Sequence, residues 1–190
     1  MISERISESI QILNDISNDQ KLLEKINQVV SVLINCFNQN KKVLFCGNGG
    51  SASDAQHLAA ELSGRFYLDR KPLPAEALHV NTSYITAVAN DYSFDEIYSR
   101  YITGFGQEGD VLVGLSTSGN SANVVEAFKT AIRKNIITVG LTGKTGGKLK
   151  KYSDIVINVP SSDTPRIQEA HILIGHIICE LVENKLFGEH

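Results

Sequence analysis

An apolar run, Val43 to Cys46, breaks into Gly47-Asn48-Gly49-Gly50-Ser51, and a helical pattern begins at once. The same succession recurs downstream. Val111 to Leu115 runs into Ser116-Thr117-Ser118-Gly119-Asn120-Ser121, and another helix starts there. Short apolar runs bounded by glycine suit strands buried on both faces, and strands alternating with helices imply a parallel sheet covered on two sides. Runs at 136–141 and 155–159, and a weaker one near Ala77 to Val80, extend the pattern. With 190 residues, 42% hydrophobic and 21% charged, the chain suits one well-buried unit. No repeat or linker divides it. The expected fold is α/β: a three-layer α-β-α sandwich in a single domain, 1–190, with its sheet core at 42–187.

Two helices precede the sheet. Ile2, Ile6, Ile10, Leu13 and Ile16 form one apolar stripe, and Leu22, Leu23, Ile26, Val29, Val30, Leu33 and Phe37 form a second after the polar break Ser17-Asn18-Asp19. They exceed what a small sheet needs for cover, which points to packing between subunits by residues 1–38, with a purely intrachain role as the alternative. Ser93 and Glu96 have capping-box spacing, and Pro165 after Thr164 suits a first helical turn. The last helix runs to about Phe187, with Ile167, Ile174, Ile177, Ile178 and Leu181 available for burial.

A net charge of −3 gives no electrostatic footprint for nucleic acid. Lys41-Lys42 and Lys148 to Lys151 read as solvated surface. The scattered Cys36, Cys46 and Cys179 read as reduced, mostly buried thiols of a cytoplasmic protein. No apolar run approaches the ~20 residues of a bilayer span.

The first loop fits Gly47-x-Gly49-x-x-Ala52, a variant of the dinucleotide fingerprint. That fingerprint also needs an acidic residue at the end of a second strand, and Asp69 reads as loop. The second loop offers four hydroxyls and a helix N-terminus, a cradle for a single phosphate monoester. No lysine follows in the P-loop manner, which disfavours a nucleoside triphosphate. On the helix after the first loop, His57 and Glu61 lie one turn apart on one face, a metal or acid–base pair.

Leu115 to Ser121 resembles the phosphate loop of the SIS (sugar isomerase) domain family. Together with Gly47 to Ser51, His57-x-x-x-Glu61, Ala89-Asn90-Asp91 and Ile167-Gln168-Glu169-Ala170-His171, it resembles that family's heptose 7-phosphate isomerases over nearly the whole chain. The resemblance implies a flavodoxin-like sheet in a cytoplasmic homotetramer. It implies an aldose–ketose isomerase taking D-sedoheptulose 7-phosphate to D-glycero-D-manno-heptose 7-phosphate through an enediol(ate), feeding heptose nucleotides and lipopolysaccharide core or other surface glycans. Asn48, Gly49, Gly50, Asn90 and Asp91 would bind the sugar, with Glu61 and Gln168; Ser116, Thr117, Ser118 and Ser121 would bind the phosphate. One zinc ion per subunit would be held by His57, Glu61, Gln168 and His176, with Glu61 and His176 also catalytic. The alternative is a non-catalytic SIS protein that binds sugar phosphate or associates with the replication initiator DnaA; it would not need all four ligands.

Gln168 and His176 test the metal set. Eight residues amount to ~12 Å of helix and about 80° of rotation, so the two side chains must lean together to share an ion. A glutamine ligand also implies a weaker or exchangeable zinc site. His171 is three residues from Gln168 but points about 140° from His176. The family motif, rather than periodicity, selects His176; His171 reads as a helix-face or interface histidine. His79 and His190 carry no motif.

Overall fold

The computed structural model describes residues 1–188, so His190 lies outside it. Five parallel strands, β1 (Val43–Gly47), β2 (Ala75–Ala77), β3 (Val111–Ser116), β4 (Ile137–Thr142) and β5 (Ile155–Asn158), form one sheet in the order β2-β1-β3-β4-β5. This is the flavodoxin-like order. β1 and β3 are fully buried and run in register from Val43↔Val111 to Gly47↔Leu115.

Alternation along the strands sorts side chains into two cores. Val43, Phe45, Val113, Leu115, Val139 and Leu141 face α2 (Gln20–Asn38), α3 (Gly50–Ser63) and α7 (Thr164–Phe187). Leu44, Cys46 and Leu112 face α4 (Thr82–Asp91), α5 (Ile97–Phe105) and α6 (Ala122–Arg133). All three cysteines are buried and free. The remaining helix, α1 (Ile2–Asn18), packs outside on α7 and α2, and only its Ile16 is buried. Asp19 separates α1 from α2 and caps the latter, accepting from the Leu22 amide at 3.1 Å.

Two local expectations are corrected. β2 lies at 75–77 rather than near 77–80. The Leu78 amide still donates to the Phe45 carbonyl at 2.9 Å, but the chain then turns so that Asn81 can cap α4 through the Tyr84 amide. Ser93 and Glu96 form no capping box. The Glu96 amide donates to the Ser93 carbonyl at 3.1 Å in a 3₁₀ turn, Phe94–Glu96, and the Ser93 side chain makes no cap bond. Pro165 does occupy the first turn of α7. Among the described residues no helix is long and apolar enough to cross a membrane.

Candidate active site

Strand order reverses between β1 and β3, and ligands of open parallel sheets bind at the carboxyl ends flanking such a switch point. Those ends carry the two loops singled out above. Gly49 enters α3 with φ 58°, a left-handed conformation that glycine adopts without strain. Gly50 has a different reason. A Cβ there would stand 2.6 Å from the Gln168 Nε2, so the missing side chain admits the carboxamide of α7.

Ser116 is buried at the end of β3, its hydroxyl 3.0 Å from that of Ser121, the N-cap residue of α6. The Ser118 hydroxyl accepts from the Asn120 amide at 3.1 Å, and Thr117 lies between them. Asn48 and the buried Asn123 exchange two amide hydrogen bonds, each 2.9 Å, which ties the glycine loop to the first turn of α6. The two cradles are therefore braced against each other. The Tyr98 hydroxyl adds a buried bond to the Gly47 carbonyl.

His57, Glu61 and His176 converge from α3 and α7. His57 Nε2 is 3.1 Å from Glu61 Oε1 and 3.0 Å from His176 Nε2, and the three donor atoms lie within 4.8 Å of one another. Two imidazole nitrogens at that separation need a proton or a cation between them. Two histidine nitrogens and a carboxylate oxygen suit zinc, whose ~2.0–2.1 Å bonds give a tetrahedral edge of about 3.3 Å. The donor set thus fits a divalent ion, and the half-exposed His57 leaves it accessible.

Gly50 meets Gln168 and Leu58 meets Gly175, so α3 and α7 lie side by side and run the same way. Gln168 sits at the Gly50 level, about two turns, ~10 Å, along from His57. The structure thus brings three of the four expected ligands together and holds the Gln168 carboxamide at the glycine loop. Asn90 and Asp91 are exposed at the end of α4 and bonded to each other at 2.9 Å. His171 is neither a surface nor an interface residue: it is fully buried, with Nε2 3.2 Å from the Thr142 carbonyl. Burial pulls its pKa down to about 4, against a smaller upward pull from that carbonyl. Asp69 is an exposed loop residue.

Asp54 escaped the sequence reading. Its Oδ2 is buried and has no hydrogen-bond partner among the described residues, and burial raises its pKa while His57 and His176 pull the other way. Its signal was available, because 54, 57 and 61 share one face of α3. Asn123 and Tyr98 gave none.

The family described as the SIS domain matches residues 6–143, and the chain belongs to it. Its place there is among the phosphoheptose isomerases. The Clostridium acetobutylicum protein of that name is 53% identical over 188 residues, 99% of this chain and 96% of its own length. The solved Neisseria gonorrhoeae phosphoheptose isomerase is 42% identical with a TM-score of 0.91, covering 96% of this chain and 97% of the other. The Francisella tularensis structure is 36% identical with a TM-score of 0.92, covering 96% of both chains.

Proposed function

We propose that this chain is an aldose–ketose isomerase that converts D-sedoheptulose 7-phosphate to D-glycero-D-manno-heptose 7-phosphate. The convergence of His57, Glu61 and His176 carries this reading, because a non-catalytic sugar-phosphate binder has no use for it. Ser116, Thr117, Ser118 and Ser121 hold the phosphate with the N-terminus of α6. Asn48, Gly49, Gly50, Asn90, Asp91 and Gln168 hold the hydroxyls. Binding energy at the phosphate end orients the reacting carbons at the other.

The proton next to the carbonyl is weakly acidic, so charge must be stabilised as an enediolate develops. Glu61 removes the C1 proton of the ketose and returns it at C2. With Oε1 turned to His57, its second oxygen serves that transfer. His176 moves protons at the sugar oxygens. Zinc is the proposed occupant, one ion per subunit on His57, Glu61 and His176 with Gln168 as fourth donor; when bound it supplies Lewis acidity at the carbonyl. The single domain works as a cytoplasmic homotetramer, and its product enters heptose nucleotide and lipopolysaccharide or other surface-glycan synthesis.

Incubation with sedoheptulose 7-phosphate should yield an aldoheptose phosphate. Glu61→Gln should still bind the ketose and lose at least about a hundredfold in turnover; wild-type turnover would remove Glu61 as the base. Thorough chelation should abolish activity and zinc should restore it. Full activity in metal-free protein would defeat the zinc assignment.

A further inference from the structure

Glu183 and Arg70 form an ion pair with almost no solvent exposure, Arg70 Nε donating to Glu183 Oε1 at 2.8 Å. Burying two charges is costly unless every donor and acceptor is matched, and an apolar pair of similar volume often stabilises as well. Here every nitrogen and oxygen of the pair has at least one partner. Glu183 also accepts from the backbone amides of Phe66, Tyr67 and Leu68 at 3.0, 2.6 and 2.9 Å. Arg70 Nη1 donates to the carbonyls of Leu62, Gly64 and Lys71, and Nη2 donates to the Glu61 carbonyl at 2.9 Å.

What this network adds over an apolar filler is register between particular elements. Arg70 satisfies carbonyls of the last turn of α3, which otherwise lack intrahelical partners. One of them belongs to Glu61 itself. Glu183 lies seven residues beyond His176, on the same face of α7. The loop it grips carries Phe66, whose ring lies 5.8 Å from the His176 ring. Upstream, Gly175 lets Leu58 approach, since a Cβ there would stand 2.5 Å from the leucine methyls. The network thus fastens the far end of the α3–α7 pair, and the three donors are divided between those helices. Metal–ligand distances tolerate only about 0.2 Å of error.

We infer that the buried Arg70–Glu183 pair, acting through the Glu61 carbonyl and the Phe66 ring, is a positioning clamp that holds Glu61 and His176 in metal-binding register. The inference rests on the isomerase reading for its catalytic consequence, but not for its effect on metal affinity. Outer partners of metal ligands typically change affinity or activity by about 10–100-fold when lost. Glu183→Gln should therefore release zinc to a chromophoric chelator at least about tenfold more readily and lower kcat by a similar factor, with KM for the sugar phosphate within about twofold. Phe66→Leu, which leaves the ion pair intact, should show the same split to a smaller degree while remaining folded, since a swap between large hydrophobic residues is among those a core tolerates best. Wild-type zinc retention and kcat in folded Glu183→Gln would overturn the clamp. So would wild-type values in Phe66→Leu, which decides the matter if Glu183→Gln does not fold. Zinc loss in the variants alongside an inactive wild type would uphold the clamp and sink the isomerase reading instead.

Discussion

Replacing Gly50 by alanine adds one methyl group at the point where Gln168 crosses α3. The atom it meets is the far end of a flexible side chain, and the backbone of Gly50 is not left-handed. Alanine is also the better helix former. Gly50→Ala should therefore fold, with stability within about 1 kcal/mol of wild type. The carboxamide must move, however, and kcat/KM for sedoheptulose 7-phosphate should fall by at least about tenfold. Unchanged kcat/KM with an unchanged melting temperature would show that the position of Gln168 does not matter to the reaction. Gly47 offers the contrast, because a Cβ there would stand 2.5 Å from the Ser51 carbonyl oxygen, which is backbone and cannot yield. At this scale, local spacing carried much of the site: His57 and Glu61 were readable as a pair one turn apart. His176 closes on them across 119 positions, and no spacing rule reaches that far. The distinction between His171 and His176 came from a motif; burial explains it, since α7 turns His171 into the core and His176 toward α3.

The elements differ in how they respond to acid, and α7 shows this through His171. Its Nε2–H donates to the Thr142 carbonyl at the end of β4, and its Nδ1 is buried without a partner among the described residues. The folded chain holds the ring neutral, with a pKa of about 4 against 6.5 for an unperturbed histidine. Between those values the unfolded chain binds a proton that the folded chain refuses, so stability rises with pH. The contribution is complete above about pH 6.5 and is lost as pH falls toward 4, amounting to order 3 kcal/mol. His79, whose pKa burial also lowers, acts with the same sign. Denaturant unfolding of metal-free protein at pH 5 and pH 7, at one protein concentration, should therefore show less pH dependence in His171→Leu than in wild type. Equal dependence in both would remove His171 as a source. Glu183 belongs to a lower range: burial raises its carboxyl, three backbone amides and Arg70 lower it further, and the net is down. Its contribution holds above the ordinary carboxylate pKa and disappears only in stronger acid. Four of the strands were legible because they are short, mostly apolar runs alternating with helical segments. β2 was misplaced because Ala75–Ala77 has no such run and its position is set by pairing with β1. The loop before it gave no sign of its anchor, since Arg70 and Glu183 are 113 residues apart.

For the whole molecule, the apolar surface left uncovered by the chain's own folding bears on assembly. Ile2, Ile6 and Ile10 of α1 are 81%, 56% and 53% exposed, although they continue the stripe that ends in the buried Ile16. Leu173, Ile177 and Leu181 of α7 are also exposed, and α1 is fastened to α7 by the Ser9–Glu169 bond and by Arg166 donating to the Arg5 carbonyl. An amphipathic helix whose apolar stripe is covered only toward its C-terminal end suits the proposed homotetramer, with α1 and α7 facing other subunits. Burying the exposed halves of Ile6 and Ile10 at such an interface contributes about 1.5–3 kcal/mol per subunit. The double substitution Ile6→Glu and Ile10→Glu touches no buried core residue of one chain, so the subunit should still fold. Light scattering at micromolar concentration should then report a tetramer for wild type and a smaller species for the variant. Because His57 and Glu61 are partly exposed, turnover should fall with assembly if neighbouring subunits help enclose the site. A fully active wild-type monomer would end the tetramer proposal. A variant that dissociates yet keeps full turnover would instead confine the site to one chain, leaving α1 a role in assembly alone.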